Sequence, residues 1–241
     1  MSGDLALHFG AGGSFARAIP GWRVRAQQQE MAQAVREAIE SASVLVAEAG
    51  TGTGKTFAYL VPALVAGGRV IVSTGTKTLQ DQLFHRDLPQ VRDVIGLPVR
   101  IALLKGRANY VCQHHLGEAG ESGTFASREE ASHIVAIRRF AARSATGDKA
   151  ECADVPELSG AWARATSSRE NCLGSKCAFH DDCFVLKARK AANEADIVVV
   201  NHHLFFADVA LREEGVTDLL PSANTVIFDE RASARYTAAF S

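Results

Sequence analysis

One short run constrains this chain more than any other: Ala47-Glu48-Ala49-Gly50-Thr51-Gly52-Thr53-Gly54-Lys55-Thr56. It opens out of the β-rich stretch SVLVAEAG and leads into KTFAYLVPALVAGG, which reads as a helix with a glycine stop. The spacing is that of G-x-x-x-x-G-K-[ST] with its first glycine displaced. Glycines let successive backbone N–H groups turn inward on a polyphosphate, and the helix that follows adds its positive end. On this reading Gly50, Thr51, Gly52, Thr53 and Gly54 form the cradle, Lys55 reaches the β- and γ-phosphates of ATP, and Thr56 offers its hydroxyl to Mg²⁺. The competing reading is a glycine-rich turn with an incidental lysine, and the strand–loop–helix context argues against it.

The surrounding pattern alternates. RVRAQQQEMAQAVREAIE (23–40) spaces Met31, Ala34, Val35, Ala38 and Ile39 as one helical face and leads into SVLVAEAG as a strand. After the loop helix, RVIVSTGT reads as a buried strand, KTLQDQLFHRDL as a helix and PVRIALLKG as a further strand. From about 106 to 184 this rhythm gives way to polar, cysteine-bearing sequence with one helical stretch, REEASHIVAIRRFAARS, and then resumes with FVLKARKAANEA, DIVVVN and TVIFDE. Such alternation predicts an α/β fold with a three-layer parallel sheet, interrupted by an inserted subdomain. The expected boundaries are an N-terminal segment over 1–22, the first part of the α/β domain over 23–105, the insertion over 106–184, the second part over 185–230 and an aberrant tail over 231–241.

With 47% apolar residues in 241, the chain has material for a real core. Lys and Arg total 26 against 27 Asp and Glu, a formal net charge of -1, so any nucleic-acid surface is local rather than global. The start, MSGDLALHFG, has no basic flank followed by an apolar core, and no stretch approaches the roughly 18 apolar residues of a membrane span. The expectation is a soluble cytoplasmic protein that does not engage a membrane. In that compartment the 5 cysteines are thiols or metal ligands rather than disulfides.

Two further groups carry chemistry. Asp229 and Glu230 end an apolar strand, where Asp229 would hold Mg²⁺ through water and Glu230 would orient or deprotonate the attacking water; the bland alternative is a pair of acids capping a strand. Cys172, Cys177 and Cys183 are spaced C-x4-C-x5-C, and Cys112 in GRANYVC is available as a fourth ligand. Four thiolates hold either Zn²⁺ or an iron–sulfur cluster, and spacing does not separate them. Cys152 reads as a spectator, and His114, His115 and His180 as alternative ligands or neighbours.

Taken in order, these motifs resemble the iron–sulfur DNA helicases of superfamily 2, specifically the bacterial DinG/YoaA branch related to XPD, from about Arg25 to Glu230. RAQQQEM resembles the family's Q-type motif, which implies that Gln28, with Arg25, reads adenine. EAGTGTGKT resembles motif I, and VSTGTKTLQDQL resembles motif Ia, which makes Thr74, Thr76 and Gln80 candidates for the DNA backbone. KGRANYVC followed by CLGSKCAFHDDC is similar to the cluster segment, which implies a [4Fe–4S] cluster on Cys112, Cys172, Cys177 and Cys183. VVNHHLFF is similar to the stretch that precedes motif II. The resemblance implies a RecA-like fold with an iron–sulfur insertion. It also implies ATP-driven 5′ to 3′ translocation along single-stranded DNA, and duplex unwinding alongside replication or repair proteins. Lys105, Arg107, Lys187, Arg189 and Lys190 would add positive charge near the cysteines, with Tyr110, Phe179 and Phe184 as stacking faces.

The pattern then departs. Motif II is expected as D-E-A-H, whereas this chain reads Asp229-Glu230-Arg231-Ala232 and ends in RASARYTAAFS. The expectation is a truncated N-terminal motor fragment, ended by a frameshift or premature stop, and unable to unwind alone. A non-catalytic nucleotide- and metal-binding module acting through DNA or a partner protein is the alternative, and a zinc-containing P-loop ATPase a third.

Overall fold

A computed structural model describes residues 5–50, 52–215 and 219–229. Thr51, Glu230 and the tail over 231–241 lie outside the described residues. In chain order the helices are α1 (Ala6–Phe9), α2 (Ser14–Ala18), α3 (Ala26–Glu40), α4 (Lys55–Ala66), α5 (Lys77–Gln82), α6 (Leu88–Ile95), α7 (Gln113–Ser122), α8 (Arg128–Ala141), α9 (Ala161–Ala165), α10 (Phe184–Glu194) and α11 (His202–Glu213). The strands are β1 (Val70–Thr74), β2 (Ile101–Leu103), β3 (Ile197–Asn201) and β4 (Thr225–Asp229). The contacts divide the chain into two compact units, one made of residues 1–103 and 194–241, the other of 104–193.

The first unit is an α/β layer structure. Its described strands form one parallel sheet in the order β2-β3-β1-β4. Central β1 is buried along its whole length, and β3 along all but its last residue. That burial is why VIVST and IVVVN read as continuous β-branched runs rather than as alternating ones. On β4, an edge strand among the described ones, half-buried residues alternate with exposed ones, and Val226 and Phe228, on one face, are 41% and 47% exposed. Helix α4 buries Ala58 to Leu64 without a break, in keeping with its apolar sequence. Between α5 and α6 the helix widens into a π segment, Leu83–Asp87.

Two expectations change here. SVLVAEAG is not a strand: among the described residues, 43–50 have no ladder pairing, and Val44 and Val46 are 93% and 91% exposed. Strand propensity expresses a fit to a pleated, half-buried surface, and here no neighbouring backbone supplies that surface. The N-terminal segment, set apart over 1–22, contributes to the core of the first unit from Leu5 onward. Phe9 and Phe15 are fully buried, and the rings of Phe9, Phe15, Trp22 and Phe57 form a continuous stack with neighbouring centroids 5.1 to 6.4 Å apart.

The second unit has its own core, built on Leu116, Ile134, Ile137, Trp162, Phe184 and Val185. Its backbone is tied by two isolated antiparallel bridges, Tyr110 with Asp148 and Val111 with Thr166. Helix α10, read from the sequence as the resumption of the α/β pattern, buries Phe184 and Val185 in this second core. Among the described residues no helix is long and apolar enough to cross a membrane.

Candidate nucleotide site and cysteine cluster

The glycine loop ends where the sequence places it. Gly52 and Gly54 hold φ of 80° and 84°, left-handed values that favour glycine, and Gly54 is the N-cap of α4. Gly54 is doubly constrained. Gln28 Nε2 on α3 donates to the Gly54 carbonyl at 3.0 Å, and a Cβ on Gly54 would fall 2.1 Å from that nitrogen. Thr53 donates its hydroxyl to the Gly50 carbonyl at 2.9 Å, folding the loop on itself. Lys55 and Thr56 then open α4, both half-buried.

Beside the loop lies a cavity of about 300 Å³ whose walls include Trp22, Arg25, Gln28, Thr56, Phe57 and Asp87. That volume is at the small end of ligand pockets. Gln28 is 2% exposed, and among the described residues its buried Oε1 has no hydrogen-bond partner, nor does the indole Nε1 of Trp22. An orphaned acceptor and an orphaned donor beside aromatic faces are what a heterocyclic base satisfies. Asp87, turned inward by the π segment, accepts from Gln82 Nε2 at 3.2 Å and Arg86 Nε at 2.8 Å. The sequence did not single out Trp22, Phe57 or Asp87. The signal available in it was the aromatic spacing of Phe15, Trp22 and Phe57.

Asp229 ends β4, in register with Thr74 on β1. Its Oδ2 accepts a 2.7 Å hydrogen bond from the Tyr59 hydroxyl on α4. Burial drives the Tyr59 phenol far above its ordinary pKa, the Asp229 charge adds to this, and a hydrogen bond from Thr56 opposes it. Lys55, Thr56, Gln28 and Asp229 are therefore all parts of the first unit.

The motif Ia residues divide. Thr74 is buried with its hydroxyl donating to the Thr76 carbonyl at 3.1 Å, and Gln80 is wholly buried, with Nε2 donating to Val199 O at 3.4 Å. Thr76 is exposed and caps α5 by accepting from Leu79 N at 3.2 Å.

In the second unit Cys112, Cys172, Cys177 and Cys183 are all half-buried, whereas Cys152 is buried in the apolar core. Cys112 is the N-cap of α7. Burial raises its thiol pKa, backbone N–H groups of His115 and His114 counteract this, and Cys177 and Cys183 raise it further. Arg107 donates to Cys172 Sγ at 3.0 Å. Arg189 has its guanidinium pKa lowered by burial and by Arg107, with Cys172 and Cys183 opposing. Among the described residues no three of these sulfurs close to within 4.8 Å of one another; the groups that do are His114, His115 and Glu118. The proposed DNA-facing cations narrow. Lys105 is 3% exposed and paired with Asp148, Lys187 is paired with Asp182 at 2.9 Å, and Lys190 is exposed. Tyr110 and Phe184 are buried, which leaves Phe179, 41% exposed, as a stacking face.

The parallel sheet and the glycine loop ahead of α4 define an α/β domain of P-loop type, and residues 25–119 match the family model described as DEAD/DEAH box helicase. The relatives sharpen this. The chain is 49% identical over 222 residues to the ATP-dependent DNA helicase YoaA of Escherichia coli, covering 92% of this chain and 35% of that protein. It is 49% identical over 227 residues to YoaA of Haemophilus influenzae, covering 94% and 36%. With the ATP-dependent helicase DinG of Mycobacterium tuberculosis it shares 40% over 234 residues, covering 88% and 34%. The chain thus spans about a third of the length of these relatives.

Proposed function

We propose that this chain is the ATP-binding first motor domain of a YoaA/DinG-type DNA helicase, coupling ATP hydrolysis to 5′ to 3′ movement along single-stranded DNA. One observation carries the reading. The loop that opens α4 and the carboxylate that ends β4 are separated in sequence by most of the chain, yet Tyr59 on α4 hydrogen-bonds Asp229, while Gly54 and Thr56 at the start of the same helix line a cavity with the orphaned Gln28 acceptor. Bound Mg²⁺ would neutralise charge on the β- and γ-phosphates as the bond to the leaving oxygen breaks. Lys55 would pair with those phosphates, and the Thr56 hydroxyl and Asp229 would hold the ion. The N–H groups of 50–54 would cradle the chain of phosphates, while Gln28 and Arg25 would read the adenine edge. Glu230, next after Asp229, would orient the attacking water. Thr76, exposed at the start of α5, would touch the DNA backbone; buried Thr74 and Gln80 would hold that turn in place.

The same reading assigns Cys112, Cys172, Cys177 and Cys183 to a [4Fe–4S] cluster. Two features fit a polyanionic thiolate group: the α7 N–H groups facing Cys112, and the Arg107 and Arg189 guanidinium groups beside Cys172.

ATP hydrolysis with and without single-stranded DNA tests the motor reading. Stimulated turnover that Lys55→Ala abolishes supports it; tight ATP binding with no turnover at any DNA concentration supports the non-catalytic module. Metal analysis and the visible spectrum of anaerobically purified chain test the cluster. Colourless protein with stoichiometric zinc would sink it.

A further inference from the structure

Tyr59 stands between the two residues that the proposed function assigns to Mg²⁺. On α4, Thr56 lies one turn before Tyr59, and the phenol donates to Asp229 Oδ2 at 2.7 Å. The ring is 4% exposed within the wholly buried run of α4, so its rotamer is fixed by packing rather than by the bond it makes. Asp229 sits at the last residue of β4, an edge strand among the described ones. Among the described residues, the Tyr59 hydroxyl is the side-chain donor that the Asp229 carboxylate accepts from.

We propose that Tyr59 is a positioning residue for the metal: its hydroxyl sets the rotamer of Asp229 and registers it against Thr56, so that both oxygens face one ion. The inference rests on the assignment of Asp229 to Mg²⁺ given above. The sequence offers a reason for a tyrosine here. In KTFAYLVPAL every other buried position of the helix is apolar or proline, and a phenol is the one side chain in that run that reaches out of the core with a donor. A carboxylate at the end of an edge strand otherwise keeps its rotamer freedom, and ordering it falls to the metal at the moment of binding.

The test measures binding rather than turnover. A fluorescent ATP analogue is titrated into the chain in EDTA and then with increasing Mg²⁺, for the unaltered protein, Tyr59→Phe, Asp229→Asn and the double variant. Expected for Tyr59→Phe is unchanged affinity in EDTA and a Mg²⁺ half-saturation raised about five- to tenfold, the effect of one lost hydrogen bond to a charged acceptor. In the Asp229→Asn background the same substitution should add nothing. An unchanged or lowered half-saturation in Tyr59→Phe, with Asp229→Asn strongly raised, overturns the role of Tyr59 and leaves the metal reading intact. A half-saturation that Asp229→Asn leaves unmoved overturns the metal reading, and the role of Tyr59 with it. Should Tyr59→Phe not fold, ¹³C-tyrosine labelling of the unaltered chain, which has 3 tyrosines, decides. One ζ-carbon signal should move on adding Mg²⁺ to the nucleotide-bound protein, and three unmoved signals would overturn the proposal.

Discussion

Lys105 and Asp148 form a buried ion pair: Nζ lies 2.7 Å from Oδ2, and the side chains are 2% and 7% exposed. The pair holds the strand-like segment leading to Cys112 against the turn at 147–148. In the same place Tyr110 bridges Asp148 through its backbone, and its hydroxyl accepts from the Lys105 N–H at 3.0 Å. Burial pushes the Tyr110 phenol up to about 12, with the Lys105 backbone bond opposing and Asp148 and Glu151 adding to the rise. Removing one partner strands the other charge in a dry site. Asp148→Ala should therefore destabilise the second unit by about 3 to 5 kcal/mol, and Lys105→Met/Asp148→Leu by far less. Denaturant unfolding of the two variants beside the unaltered protein checks this, and equal losses for single and double variants would contradict it.

Gly54→Ala should be doubly damaging. The left-handed backbone costs an alanine about 1 to 2 kcal/mol, and the new Cβ meets the Gln28 amide. Adding Gln28→Ala relieves the clash but not the backbone strain, so the double variant should regain only part of the ATP affinity. Equilibrium binding of an ATP analogue measures both.

Gln28→Ala by itself should reduce discrimination of ATP over GTP. A site with a buried acceptor loses selectivity when that acceptor is removed, here by about tenfold in the ratio of affinities. Competition binding with the two nucleotides reads it directly.

The aromatic stack packs residues 9–22 into the core of the first unit. Phe15 is fully buried between Phe9, Trp22 and Phe57. Phe15→Ala should cost about 3 to 5 kcal/mol and also weaken nucleotide binding, because Trp22 and Phe57 line the cavity. Thermal melting and nucleotide titration should move together; a stable variant with normal binding would separate the stack from the site.

Cys152 should behave unlike the other thiols. It is 5% exposed among apolar side chains, and burial raises its pKa, so at pH 8 it carries less thiolate than a free cysteine and resists alkylation. Cys152→Ser should retain bound metal, whereas Cys112→Ser and Cys172→Ser should lose it. Iron and zinc content by elemental analysis compares them.

Much of the fold was legible in local patterns. β1, β3 and β4 follow from apolar runs bounded by polar residues, α4 from the glycine that stops it at Gly67, and the loop from residue spacing alone. Helix α11 was not read, although Asn201 caps it by accepting from Leu204 N at 2.8 Å, a signal present in VVNHHLFF. SVLVAEAG misled because its β-branched residues report a preference that needs a neighbouring strand to satisfy it. Lys105, Tyr110, Phe184, Thr74 and Gln80 were read as surface groups because polarity along the chain cannot tell a solvated side chain from a buried one with a partner.

The sequence by itself determined the chemistry that depends on neighbours along the chain. These are the glycine loop with Lys55 and Thr56 opening α4, and the strand that ends at Asp229. Only the tertiary structure decided what depends on residues far apart meeting: that Gln28 locks Gly54, that Trp22 and Phe57 wall the cavity, that Lys105 belongs to Asp148, and that Tyr59 reaches Asp229. Spacing encodes contacts made within a loop or a helical turn, whereas a contact across the fold is fixed by how the sheet orders its strands and how the helices pack on them.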